Sequence, residues 1–163
     1  MVTSSIEIAR PKWQRNTDEA QIEVKAACNG PIYVKGDRAE LREVVLNLIF
    51  NAVDAMPEGG FLEIGTRAEI ECGCFWVADT GCGMPPETVA RIFEPFFTTK
   101  GDRGTGLGLS ASHGIISRHG GEIVAVSELG EGTRFEVRLP ITDSAARRIK
   151  EEATAQETVF DTL

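Results

Sequence analysis

Residues Asp37 to Met56 constrain the fold more than any other stretch. Asp37 followed by Glu40 predicts a capped helix start, and Pro57-Glu-Gly-Gly60 ends the pattern. Between them the helix is apolar around most of its circumference: Leu41, Val44, Val45, Leu46, Leu48, Ile49, Phe50, Ala52, Val53 and Ala55. A helix of that kind must be wrapped by other layers. From Glu43 onward its polar exceptions are Glu43, Asn47, Asn51 and Asp54, which fall within an arc of about 80° at 100° per residue. Two readings stand on these residues. The stripe is the wet face of an amphipathic helix, or it is a row of oxygen donors. Lys, Arg and Gln make a better wet face, because asparagine disfavours helix. Amide and carboxylate oxygens suit a hard cation such as Mg²⁺, which takes one or two protein oxygens plus substrate phosphates. Glu43, one turn before Asn47, is placed to accept a proton or hold a water.

The chain's 163 residues suffice for one domain with a proper core. No apolar run reaches the roughly 18 residues of a membrane span. The segment Met1-Val-Thr-Ser-Ser-Ile-Glu lacks the features of a signal peptide, so a cytoplasmic location without membrane contact is the expectation. The net charge of −8 and the absence of clustered Lys and Arg exclude a broad nucleic-acid footprint. One small polyanion can still be held by backbone amides and a metal ion. Of the four cysteines, only Cys72 and Cys74 are close, and their one-residue spacing is not that of zinc knuckles. Free, reduced thiols are expected.

Alternation predicts strands at Ile6–Ile8, Ile22–Val24 and Pro31–Val34, as an N-terminal extension over residues 1–30 leading into a core over 31–140. Phe61–Arg67 and Cys74–Ala78 read as paired strands, and Pro86–Phe93 as a short helix. The polar, glycine-rich stretch Thr98–Gly106 lacks periodicity and reads as a mobile loop. A second helix over Leu107–Arg118 stops at Gly120-Gly121, followed by strands at Glu122–Ser127 and Thr133–Leu139 around a Gly130–Gly132 turn. Residues 141–163 read as a tail or linker.

Two glycine runs follow or precede these elements. In Asp79-Thr-Gly81-Cys-Gly83 a carboxylate at a strand end sits beside glycines that let a ligand approach the backbone. That suits an exocyclic amine, although an isolated motif of this kind reads first as an Asp at a tight turn. Gly104-Thr-Gly106-Leu-Gly108-Leu109 enters a helix N-terminus, a place that binds phosphate. Leu109 stands where a dinucleotide fingerprint needs glycine, and no P-loop motif occurs in the chain. Lys100 lies just upstream and can reach a phosphate, or simply be solvated.

In order, these pieces resemble the ATPase family that unites gyrase, the Hsp90 chaperones, histidine kinases and mismatch-repair proteins. Glu43-Val-Val-Leu-Asn47-Leu-Ile-Phe-Asn51-Ala resembles its N box, and Asp79-Thr-Gly-Cys-Gly83-Met84 its G1 box. Phe93-Glu-Pro-Phe-Phe-Thr-Thr-Lys100 resembles the F box, Gly104-Thr-Gly-Leu-Gly108-Leu the G2 box, and Gly130-Glu-Gly-Thr133 the last glycine motif. The F box together with G2 selects the histidine kinase branch. The resemblance implies an α/β (α+β) two-layer sandwich of the Bergerat type, with helices on one face of a mixed, mostly antiparallel sheet. It implies ATP and Mg²⁺ as cofactors. Asn51 would be the chief metal ligand with Asn47 assisting, and Asp79 would bond the adenine amine, sharing water with Thr133. Gly81, Gly83 and Met84 would shape the base pocket, with Phe93, Thr98 and Thr99 of the F box nearby. Lys100 and the backbone of Gly104, Thr105, Gly106, Leu107, Gly108 and Leu109 would close over the phosphates. Glu43 would be the base or phosphate orienter. Asp54 stands where some relatives carry a cation, so it either faces solvent or supports the metal indirectly.

The histidine that such a kinase phosphorylates is not evident. His113 and His119 both follow the G2 glycines, and His119 before Gly120-Gly121 reads as a capping contact at a helix C-terminus. The expectation is therefore a protein-histidine kinase's catalytic domain alone. Its partners would be a phosphoacceptor and dimerisation domain, upstream in the native chain, and a response regulator's receiver domain. The fragment would be monomeric and the full-length kinase a homodimer. A nucleotide-binding regulatory module, or an anti-sigma-type serine kinase, would share the fold.

Overall fold

The computed structural model describes residues 1–13, 21–28, 30–101 and 104–142. The expected tail from Asp143 onward lies outside them. The buried helix of the sequence reading is α2 (Arg38–Asp54), whose Val44, Val45, Leu48, Ile49 and Ala52 are fully buried. It packs between α1 (Val2–Trp13) and α4 (Gly108–Arg118), and against the sheet through β3 (Cys72–Asp79). The remaining strands are β1 (Ile22–Cys28), β2 (Gly60–Ala68), β4 (Glu122–Glu128) and β5 (Gly132–Pro140), and α3 (Pro86–Val89) is one short turn.

The strands form one sheet in the order β1-β2-β3-β5-β4. Only β1 and β2 are parallel, and every other pairing is antiparallel. Alternation then decides the faces. Leu62, Ile64, Phe75, Val77, Phe135, Val137 and Ile123 join the helices in one core. On the other face Arg67 and Arg138 form ion pairs with Glu136, and the Trp76 indole N–H donates to Glu63. Helices on one face of a mixed, mostly antiparallel sheet is the two-layer arrangement expected.

On the open face Gly65 lies opposite Trp76, and a Cβ on Gly65 would overlap the indole ring. Arg134 stacks 4.7 Å from the centroid of that ring. Gly65→Val should therefore lower thermal stability by roughly 2–3 kcal/mol through overpacking. A melting temperature equal to wild type would show that Trp76 swings aside freely.

Three sequence expectations need correction. Ile6–Ile8 is helix, not strand, because Ser5, Ile6, Ala9 and Trp13 are the buried positions, at helical spacing, while Ile8 is 52% exposed. Three alternating residues are too few to fix a period. Pro31–Val34 forms no strand of its own; Val34 makes an isolated bridge to Ile141. Asp37 caps α2 by accepting from the Ala39 and Glu40 amides at 2.8 and 2.9 Å. Glu40 does not return the favour, since its carboxylate pairs with Arg118. The Asp37 amide instead donates to Nε2 of His119 at 2.9 Å. Nδ1 of His119 lies 2.8 Å from the Ile115 carbonyl, so this ring closes α4 and ties it to the start of α2.

Cys72 and Cys74 point to the open face with their sulfurs 3.7 Å apart, and Glu69 lies 3.2 Å from Cys72. Glu69 is already engaged by Arg67 at 2.9 Å. Burial first, then the Glu69 carboxylate, push the Cys72 thiol up to about 12. The group is thus a neutral, hydrogen-bonded thiol pair.

Candidate functional site

The polar stripe of α2 faces the N-terminus of α4. Asn47 sits where its amide nitrogen reaches the Gly108 carbonyl and Ser112 Oγ, both at 3.4 Å. Gly108 has no side chain to fill the gap in front of Asn47. One turn further, Asn51 Oδ1 accepts from Lys100 Nζ at 3.1 Å, and Asp54 Oδ2 accepts from the same ammonium at 2.8 Å. Partial burial raises the Asp54 carboxyl, but hydrogen bonds from Lys100 and then Lys12 outweigh it and the net displacement is downward. Glu43, at the exposed head of the stripe, makes no hydrogen bond or ion pair among the described residues.

At the other end of the site Asp79 closes β3. It is 7% exposed, and its Oδ1 accepts from the Gly81 amide at 2.9 Å. Burial pushes its carboxyl up to about 6, against the pull of the Gly81 and Thr133 amides. Thr133 lies directly opposite in the β3–β5 register. The turn after Asp79 is pinned from behind: the Cys82 amide donates to the Ala55 carbonyl at 3.0 Å, using one of the carbonyls left free at the end of α2. A Cβ on Gly81 would press on that same carbonyl. Gly83 (φ +62°) backs onto the Glu128 carbonyl so closely that no side chain fits. Met84, partly buried, packs against the core.

Ser127 organises this end and was not identified from sequence. Its hydroxyl donates to the Gly132 carbonyl at 2.8 Å and accepts from the Met84 amide at 2.8 Å. Its one proton is then spent, so at the 2.9 Å contact Thr133 donates to Ser127. The lone pairs of Thr133 Oγ1 remain available beside Asp79. No short motif marks a serine next to the end of β4, so local pattern does not single it out.

The stretch between the two helices is irregular where described, with neither strand nor α-helix over 98–101 and 104–106. Phe96 donates its amide to the Gly106 carbonyl at 3.0 Å, both residues at positive φ, which pins the F box to the second glycine run. Thr98 Oγ1 accepts from the Lys100 amide at 3.1 Å and sits against Gly104. Phe93 packs against the His113 ring at 5.3 Å. Thr105 reaches the Leu107 amide at 3.4 Å, Leu107 is exposed, and Leu109 packs on the core. Thr99 is exposed and forms no hydrogen bond among the described residues. The structure thus assembles two clusters, one around Asn47, Asn51, Asp54 and Lys100 and one around Asp79 and Thr133. Lys12 of α1 joins the first, through an ion pair to Asp54 at 2.8 Å that sequence reading did not foresee.

A helix-covered sheet with a polar helix stripe facing two glycine-rich turns defines an ATP-binding ATPase domain. Residues 36–143 match the family model of histidine kinase-, DNA gyrase B- and HSP90-like ATPases, and the chain belongs to that family. The sensor kinase CckA of Brucella abortus is 45% identical over 123 residues, covering 66% of this chain and 13% of that protein. The catalytic domain of the histidine kinase ThkA superposes with a TM-score of 0.75 at 31% identity, covering 86% of this chain and 92% of that one. Full-length ShkA, solved in complex with AMPPNP, gives 0.75 at 31% identity over 86% of this chain and 29% of its own. The chain therefore spans a small part of the full-length proteins it is similar to. No helix among the described residues is long and apolar enough to cross a membrane.

Proposed function

We propose that this chain is the ATP-binding catalytic domain of a sensor histidine kinase, which binds Mg·ATP and donates the γ-phosphoryl group to a histidine on a separate dimerisation domain. The observation that carries this reading is the Asn47–Gly108 approach, which places the amide stripe of α2 against the glycine-rich start of α4. A row of amide oxygens and a helix N-terminus that converge in this way suit a metal-bound polyphosphate. The AMPPNP complex of ShkA supports the same assignment by likeness.

In this reading Asp79 accepts from the adenine amine, helped by water held on Thr133, while Gly81, Gly83 and Met84 shape the base pocket. Asn51 with Asn47 would hold Mg²⁺, and their neutral oxygens fit a hard cation that keeps several waters. The bound ion would neutralise charge on the phosphate oxygens. Lys100 and the amides from Gly104 to Leu109 close over the phosphates, with Phe93, Thr98 and Thr99 supporting that segment. Glu43, exposed and unengaged, orients the attacking group or takes its proton. Catalysis is then positioning plus electrostatic stabilisation of a loose transition state. The phosphoacceptor domain and a response regulator are the partners, in a cytoplasmic homodimeric kinase.

Incubation of this chain with labelled ATP and a cognate hairpin domain tests the reading. Label on the hairpin histidine is the expected result, and tight ATP binding with no label under any pairing would sink the transfer step. Asn51→Ala should abolish the strengthening of ATP binding by Mg²⁺ while metal-free binding survives. If titration calorimetry shows the Mg²⁺ effect intact, Asn51 is not the ligand.

A further inference from the structure

The Asp54 carboxylate is bracketed by two ammonium groups from different elements. Lys100 binds Oδ2 and Lys12 binds Oδ1, each at 2.8 Å. Lys100 also touches Asn51, and Lys12 lies over the Phe50 ring, 4.8 Å from its centroid. This knot sits at the end of the α2 stripe and carries a local charge of one positive unit, in a chain whose net charge is −8. Each ammonium has three donors. Lys100 spends two here and Lys12 one, so both keep N–H groups to offer. The spacing of the two oxygens of a carboxylate is close to that of two oxygens of a phosphate. A pair of cations that brackets the first can therefore bracket the second.

We propose that Lys12 and Lys100, held side by side by Asp54, form a two-ammonium receptor for the terminal phosphate of the nucleotide. Lys12 is thereby a binding residue supplied by α1, outside the segment that matches the ATPase family. Asp54 is a positioning residue. It gathers the two cations before the nucleotide arrives, so that neither long side chain must be ordered at the moment of binding. It also explains an acid at this place in the stripe: the acid supports cations brought from elsewhere. Because the receptor meets only the last phosphate, its effect is selective for ATP over ADP.

The inference rests on the nucleotide-site reading, and the test separates the two. Affinities for ATP and for ADP, both with Mg²⁺, are measured on the full chain as wild type, K12Q, K12R and D54N. K12Q should weaken ATP about fivefold, the modest scale of a partly exposed charge contact, and leave ADP within a factor of about two. K12R should restore most of the preference, and D54N should reduce it as K12Q does. Thermal melts of the same variants report whether α1 stays docked. An ATP-to-ADP ratio in K12Q equal to wild type would overturn the receptor, as would an equal loss for both nucleotides. Wild-type chain that binds neither nucleotide would overturn the nucleotide reading itself and the receptor with it.

Discussion

Asp79→Asn should weaken ATP binding by about 1.5–3 kcal/mol, the scale of a hydrogen bond to a charged group, without unfolding the domain. The carboxylate is surrounded by donors, the Gly81 and Thr133 amides, and the adenine amine would be another. Asparagine must turn one of its two acceptors into an NH₂ group, which opposes a donor wherever it points. Stability responds differently. Burial holds the Asp79 carboxyl at about 6, above its ordinary value of 3.8. Ionised Asp79 therefore costs the nucleotide-free fold up to roughly 3 kcal/mol above pH 6, relieved as pH falls from 6 towards 3.8. Asparagine removes that cost while mispairing one N–H, so the melting temperature near neutral pH should stay close to wild type. Wild-type ATP affinity should also fall as pH drops through 6, since the amine needs an ionised acceptor, and the asparagine variant should lose this dependence. Unchanged affinity by calorimetry would remove Asp79 from the adenine role.

Gly132→Ala should cost about 3–5 kcal/mol, from a strained backbone and an overlap that cannot relax. Gly132 has φ +107°, and a Cβ there would run into the Asp79 carbonyl oxygen, with Thr80 Cα 2.9 Å away. Both obstacles are backbone at the end of β3, so relief means moving Asp79 itself. Gly130→Ala is the internal control. Its φ is +86°, but nothing lies within 4 Å of an added Cβ. That variant should lose only the conformational part, about 1–2 kcal/mol. Denaturant melts that show equal losses for the two variants would mean that the crowding between β5 and β3 is not what requires Gly132.

Elements with long, consistent patterns were legible in the sequence. The apolar run of α2 spans enough turns to fix its period, and its two ends carry a capping Asp37 and the breaker after Met56. The β2–β3 and β4–β5 hairpins were legible for the same reason, each bounded by turn residues. The candidate site was legible as separate motifs, since Asp79, the glycines and the asparagine stripe each carry a local chemical signal. Short or unpatterned pieces were not. Ile6–Ile8 alternates over three residues, and packing of Ser5, Ile6, Ala9 and Trp13 made it helix. Ser127 looks like any half-buried strand residue until Met84 and Gly132 are brought to it.

The polar stripe on α2 shows where the division falls. Local periodicity determined that Glu43, Asn47, Asn51 and Asp54 lie along one side of a buried helix, because rotation per residue is a property of the backbone alone. What that side meets was decided only by the fold. Gly108 arrives 61 positions after Asn47, Lys100 comes 46 after Asp54, and Lys12 comes from a helix before β1. Such partners are chosen by how α1, α2 and α4 pack over the sheet, and a contact across that separation leaves no trace in local spacing. For the same reason His119, not Glu40, receives the Asp37 amide. The stripe's oxygens were written in the sequence, and the cations that face them were supplied by tertiary structure.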